Sequence, residues 1–218
     1  MKRRICRVCG KENWMEDPEE TWLEWPYPDT GPSEKMVLRK AEGLEECAGC
    51  GLVSHDLEAD PEVSPEDIRA DRYQFPLHYH PGSRNGMRCL KMAVLYEKLN
   101  SPNSAARWYI YAGIILEKEE EWRKRCFRRA LFLLDDVLYE WTGAENAEPV
   151  LMAMNLARML ALESVVLELA ERYGEELTQT DDRRLMEALK KLAAEGKTGY
   201  MSYREMLVWG ERCDIKEL

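Results

Sequence analysis

Two Cys-x-x-Cys-Gly motifs lie in the first quarter of the sequence, at residues 6–10 and 47–51. Two residues between the thiols of each motif allow both sulfurs of a tight turn to reach one metal ion. The glycine after the second cysteine suits the positive φ angle that such a turn requires. The sequence therefore predicts a single tetrahedral metal site. Its four ligands are Cys6, Cys9, Cys47 and Cys50.

The metal predicted for this site is zinc, and the predicted local fold is a zinc ribbon. The stretch EKMVLRKAEGLEEC before the second motif contains strand-forming residues, so a hairpin is expected between the two cysteine turns. The first motif and the acidic, aromatic stretch DPEETWLEWPYPD also resemble rubredoxin, whose four sulfurs hold one iron ion. The thirty-seven residues between Cys9 and Cys47 exceed the length that this resemblance implies. Iron therefore stays the alternative to zinc, and a rubredoxin-like iron electron carrier stays the corresponding alternative function.

Composition limits the class of protein. The 218 residues are 45% hydrophobic and 33% charged, so the chain can bury a core. We find no apolar run of the length that a signal peptide or a membrane span needs, and the seven cysteines then predict a reducing, cytoplasmic location. The net charge of -10 argues against general nucleic-acid binding. A basic patch near the N-terminus nevertheless keeps a nucleic-acid-associated zinc-ribbon factor as an alternative. It consists of Arg3, Arg4, Arg7 and Lys11.

The remaining histidines and cysteines do not predict a second metal site. His55, His78 and His80 are expected to be loop residues, because no third ligand lies near the closely spaced pair. The other three cysteines are expected to be small core residues. They are Cys89, Cys126 and Cys213.

Helix signals replace strand signals after the second motif. Ser64 and Pro65 are typical of a helix start, and two prolines and two glycines predict a loop over residues 74–87. From Arg88 onward, start and stop signals predict helices almost to the end of the chain. Three segments follow from these signals: a zinc ribbon at 1–60, a linker helix and loop at 61–87, and a helical array at 88–218.

Apolar periodicity in the array predicts antiparallel helical hairpins. Residues 119–141 carry one apolar stripe, while SAARWYIYAGIILE and PVLMAMNLARMLAL are apolar on most faces and are expected in the core. Phe127 and Ala130, with aromatic and small residues on the preceding helix, resemble a degenerate tetratricopeptide repeat. Together with the cysteine motifs, the chain resembles a family of bacterial proteins that join an N-terminal zinc ribbon to a tetratricopeptide-like helical array. The resemblance implies a mainly α fold with a small, rubredoxin-like N-terminal β unit.

The predicted function is non-enzymatic protein binding. Stacked helical hairpins form extended surfaces for partner segments, and a tetrathiolate site leaves no coordination position open for chemistry. The sequence contains no phosphate-binding loop, nucleophile elbow or histidine with carboxylates at metal-ligand spacing.

One face of the helix at 119–141 carries candidate partner-binding residues. Arginine and aromatic side chains dominate interface energetics, and a basic ridge favours an acidic or phosphate-bearing protein partner. The alternative is a solvated face, since Glu121 lies four residues before Arg125 and such pairs stabilise exposed helices. The candidate residues are Arg125, Arg128, Arg129 and Phe132.

Overall fold

The computed structural model describes residues 1–15, 34–59, 62–74, 82–142, 146–201 and 204–209. Most of these residues are helical, and the strands among them form two small antiparallel sheets near the N-terminus. The predicted fold class, mainly helical with a small N-terminal β unit, is confirmed. The described residues fall into two compact units, the first made of 1–15 with 34–126 and the second of 127–209.

Each cysteine motif forms the turn of a β-hairpin in the first unit. Strand β1 (Lys2–Ile5) pairs with β2 (Glu12–Met15), and β3 (Glu45–Glu46) pairs with β4 (Val53–Ser54). The first motif lies between β1 and β2, and the second lies between β3 and β4. The two hairpins therefore carry their cysteines in equivalent places.

The segment expected to form a hairpin between the motifs is mostly helical. Helix α1 (Glu34–Glu42) precedes β3 and packs against residues 102–115. Val37 and Ala41, one helical turn apart, are fully buried. An apolar spacing of four residues suits a helix. Burial of this face therefore outweighs the strand propensity of the individual residues, and the predicted hairpin is wrong.

Three more helices and the start of a fourth complete the first unit. Helix α2 (Pro65–Arg69) begins as predicted, because the Ser64 hydroxyl accepts from the Asp67 N–H and the Asp67 carboxylate accepts from the Ser64 N–H. Helices α3 (Arg84–Lys98) and α4 (Pro102–Ile115) are joined by three residues and pack as an antiparallel hairpin. Helix α4 is buried on most faces, as predicted.

Helix α3 begins four residues before its predicted start at Arg88. Ser83 caps it by accepting a hydrogen bond from the Gly86 N–H at 3.2 Å. A Cβ on Gly86 would lie 2.7 Å from the Cδ2 atom of Leu116. Gly86 therefore lies inside a helix, where it lets the helix pack closely against Leu116. The sequence-based prediction counts this glycine as a sign of a loop, and so it places the start of the helix too late.

The second unit contains most of one long helix, from Phe127 onward, and the helices that follow it. The elements are α5 (Glu120–Tyr139), α6 (Glu148–Met159), α7 (Glu163–Tyr173), a 3-10 turn (Gly174–Glu176) and α8 (Thr180–Ala194). Helix α6 is buried from Pro149 to Met159 and packs against α7 and α8, as expected of a core helix. Among the described helices, none combines the length and the apolar character needed to cross a membrane.

Several smaller predictions can also be placed. Cys89 and Cys126 are buried as expected, and burial raises the pKa of both thiols. His55 follows β4 and lies against the Trp108 ring, with 5.6 Å between the ring centroids. The predicted boundaries at residues 60 and 87 fall inside the first unit, which contains the cysteine hairpins and helices α2 to α4. Cys213, His78 and His80 lie outside the described residues.

Candidate metal centre

The structure brings the four predicted ligands together. The Sγ atoms of Cys6, Cys9, Cys47 and Cys50 all lie within 4.8 Å of one another. The distance from Cys6 Sγ to Cys50 Sγ is 3.7 Å, and that from Cys9 Sγ to Cys47 Sγ is 3.5 Å. A tetrahedron with metal–sulfur bonds of about 2.3 Å has edges of about 3.8 Å. The sulfurs are therefore too far apart for disulfide bonds and are spaced as ligands of a single metal ion.

The two cysteine turns have the same backbone geometry. Gly10 and Gly51 have φ angles of 70° and 78°. The Gly10 N–H donates to the Cys6 carbonyl at 2.8 Å, and the Gly51 N–H donates to the Cys47 carbonyl at 2.9 Å. Residues with a Cβ rarely adopt this conformation. The predicted reason for a glycine after each motif is confirmed.

Hydrogen bonds to sulfur favour a thiolate at Cys47. Burial alone would raise the pKa of this thiol, but backbone N–H donors from Cys50 and Gly49 lower it to about 6. The Gly49 donor lies 3.3 Å from the sulfur. At Cys50, by contrast, burial and the neighbouring thiols raise the pKa. A cation at the centre of the cluster would compensate the charge of thiolates brought this close together.

A buried amide, Asn13 on β2, connects the two turns. Asn13 is only 4% exposed. The Oδ1 atom accepts from the Ala48 N–H at 2.8 Å, and the Nδ2 atom donates to the Lys11 carbonyl at 2.9 Å and to Cys47 Sγ at 3.6 Å. Sequence reasoning missed this residue, because a lone asparagine after a cysteine motif carries no signal of its own.

The two turns also approach each other closely at Gly49. A Cβ at this position would lie 2.9 Å from the Cβ atom of Lys11 and 3.2 Å from Cys9 Sγ. A larger residue would therefore displace either the first turn or one of the ligands. The glycine in the middle of the second motif is needed for packing between the turns.

Side chains from the helical part of the first unit hold the second turn. Lys91 on α3 is 1% exposed, and its Nζ atom donates to the Gly51 carbonyl and to Glu46 Oε1, both at 3.0 Å. Burial alone would raise the pKa of Glu46, but Lys91 lowers it. The Tyr73 hydroxyl accepts from the Val53 N–H at 2.8 Å. Sequence reasoning missed Lys91, since a lysine in an amphipathic helix normally indicates an exposed face.

Ion pairs neutralise half of the predicted basic patch near the N-terminus. Arg3 pairs with Glu12. Arg4 pairs with Glu45 at 3.3 Å and with Glu58 at 3.0 Å. Two of the four cations proposed for a nucleic-acid contact are therefore already paired within the protein.

The four candidate partner-binding residues lie on α5. Arg125 and Arg128 are exposed, and within the described part of the chain neither forms an ion pair. The Arg129 guanidinium lies 5.0 Å from the centroid of the Phe132 ring, and Phe132 is 59% exposed. Cationic and aromatic groups thus share one surface of the helix.

The alternative of a solvated face predicts glutamate–cation pairs along this helix. Lys124 does pair with Glu120. No ion pair among the described residues joins Glu121 to Arg125. The Arg125 guanidinium lies over the Trp122 ring instead, 5.7 Å from its centroid. The pairing expected for a purely solvated face is therefore only partly present.

Comparison of the chain with protein-family models, with curated proteins and with solved structures gave no match. The function of the protein is therefore inferred from the geometry of the cysteine cluster and of α5.

Proposed function

We propose that the protein is a non-enzymatic protein-binding adaptor whose first unit is stabilised by a structural zinc ion. The observation that carries the proposal is the convergence of four cysteine sulfurs. Four protein ligands fill a tetrahedral site and leave no position for water or substrate, as in structural zinc sites. Iron held by the same sulfurs, in the manner of rubredoxin, is the alternative.

Contacts between the turns and their surroundings support a structural role for the metal. The Arg7 N–H donates to the Leu57 carbonyl at 3.0 Å, which joins the first turn to the segment after β4. Lys91 joins the second turn to α3. The two hairpins and α3 therefore belong to one packed unit, and loss of a metal held by the cysteines should loosen all of it.

The exposed surface of α5 supports the partner-binding part of the proposal. Arg125, Arg128 and Arg129 lie on this helix one turn or less apart, followed by Phe132 and Tyr139. Tyr139 lies two turns beyond Phe132 and is 85% exposed. Spacings of three, four and seven residues keep side chains on one side of a helix. Tyr139 is not among the candidate partner-binding residues predicted from the sequence, because a single tyrosine at the end of a helix gives no sign that it is exposed.

The expected partner is an acidic protein segment. A guanidinium binds carboxylate or phosphate oxygens through paired hydrogen bonds, and exposed aromatic rings accept apolar side chains. The net charge of the protein is -10, so a local group of arginines is an exception on an acidic protein and should attract acidic segments to this surface.

Replacing Arg125 and Arg128 by glutamate tests this surface. The wild-type protein should bind a fluorescent peptide of glutamates and leucines, or its phosphoserine counterpart. The double variant should bind either peptide at least about ten-fold more weakly, because two attractive charges become repulsive. Fluorescence anisotropy measures the dissociation constants.

The matched control is Arg184→Glu with Lys190→Glu, which changes the net charge equally at two cations of α8. Its affinity for the peptides should stay close to that of the wild-type protein. Equal losses in both double variants would indicate a general charge effect and would reject the α5 surface. Failure of the wild-type protein to bind either peptide would reject it as well.

The remaining parts of the proposal concern architecture and location. We propose a tetratricopeptide-like array, supported by the α3–α4 and α6–α7 pairs, each joined by three residues. We propose a cytoplasmic location, because the reduced thiols that the site requires persist there. The nucleic-acid alternative is less well supported, since Arg3 and Arg4 are already paired with glutamates.

A further inference from the structure

We infer that Asn13 is a positioning residue of the metal centre, which holds the two cysteine turns together and donates a hydrogen bond to the Cys47 sulfur. The inference rests on the proposed metal site. It concerns a residue that is not itself a ligand. It predicts how that residue affects the affinity for the metal and the spectrum of the metal complex.

The first step is the connection between the turns. The two hairpins belong to separate sheets, so no strand pairing joins them. Asn13 lies in the first hairpin and accepts from Ala48 in the second, while its amide nitrogen donates to Lys11 in the first. The acceptor and both donors of the amide are therefore satisfied, counting the bond to Cys47. A side chain held at every polar atom fixes the distance between the turns.

The second step is the hydrogen bond to sulfur. Cys47 already receives the Gly49 N–H, and Asn13 adds a side-chain donor to the same atom. Both groups are shielded from water, which strengthens the interaction. Hydrogen bonds from outside the ligand set tune the donor strength of a ligand, and their loss typically lowers metal affinity about 10- to 100-fold.

Two substitutions separate the role of the Asn13 amide nitrogen, which donates to Cys47, from that of the amide oxygen, which accepts from Ala48. Asn13→Leu has a similar size and removes every hydrogen bond of the side chain. Asn13→Asp keeps an acceptor for the Ala48 N–H and removes both donors. If donation to sulfur matters, both variants should change the metal site. If only the connection to Ala48 matters, Asn13→Asp should keep the wild-type band position, and its Co²⁺ affinity should change only through repulsion between the added carboxylate and the thiolates.

The measurement uses Co²⁺ and the full-length protein. Competition with a chelator should show about 10- to 100-fold weaker Co²⁺ binding in both variants. The sulfur-to-cobalt charge-transfer band should move to longer wavelength in both, because a thiolate without this donor gives up electron density more easily. If Asn13→Leu does not fold, Asn13→Asp decides the question alone.

Asn100→Asp serves as the control, since it places the same added charge on an exposed residue of the first unit. Its affinity and its band position should match those of the wild-type protein. Wild-type behaviour of Asn13→Asp would overturn the inference, and so would weaker binding with an unshifted band. Failure of the wild-type protein to form a tetrathiolate Co²⁺ complex would instead overturn the proposed metal site itself.

Discussion

Replacing Cys47 by serine is expected to release the metal ion and to cause the largest loss of stability of any substitution proposed. A serine hydroxyl stays protonated at neutral pH and does not replace a thiolate ligand. Structural zinc contributes on the order of 10 kcal/mol to the folding of small zinc-binding peptides. A loss of that size is comparable to the total stability of a typical domain. The first unit should therefore lose its hairpins when the cysteine is replaced.

Two measurements on this variant check the expectation. Its metal content should fall to zero, and the hairpins at residues 1–15 and 45–54 should become sensitive to limited proteolysis. The control is Cys126→Ala, which removes a buried thiol outside the cluster and should keep the metal. A Cys47→Ser protein that still carries stoichiometric metal would contradict the proposed ligand set.

Replacing Lys91 by methionine should also destabilise the first unit strongly, without removing any ligand. The substitution keeps most of the apolar volume and removes the buried ammonium that bonds to Glu46 and to the Gly51 carbonyl. Removal of one partner of a buried ion pair typically costs about 3–5 kcal/mol. Arg84 and Arg88 remain 3.6 Å from the Glu46 carboxylate, so the expected cost lies at the lower end, roughly 3 kcal/mol.

A double-mutant cycle and a second lysine test this reasoning. Glu46→Gln added to Lys91→Met should recover part of the lost free energy of unfolding, because the buried carboxylate that has lost the Lys91 ammonium is then removed. The recovery should be incomplete, since Arg84 and Arg88 lose their carboxylate partner in the double variant. Lys98→Met on the same helix removes an exposed ion pair with Asp67 and should leave the free energy of unfolding nearly unchanged. Equal effects of the two lysine substitutions in chemical denaturation would refute a special role for Lys91.

The ligand set was predictable because its chemistry is local. Two thiols and a glycine within five residues determine the geometry of each turn, and Gly10 and Gly51 adopt the φ angles that this requires. Helix starts marked by Ser64 with Pro65 and by Pro102 were predicted for the same reason. Each of these signals acts within a few residues of the feature that it specifies.

Features that depend on distant contacts were not predictable from local patterns. Helix α1 forms in a stretch with strand-forming residues because Val37 and Ala41 are buried. Helix α6 ends at Met159 without a glycine or proline, and Ala161 adopts a φ angle of 59°. Asn13 acts through Ala48 and Cys47, more than thirty residues away. For α1 and for Asn13, the partner that decides the structure is remote in sequence.

Elemental analysis of the full-length protein, purified from its native host without added metal or chelator, tests the central claim most directly. A structural tetrathiolate zinc site predicts one zinc ion per chain in a colourless protein. A red protein that contains one iron per chain and bleaches on reduction would contradict zinc and support a rubredoxin-like centre. Absence of any stoichiometric metal would contradict the metal site formed by Cys6, Cys9, Cys47 and Cys50.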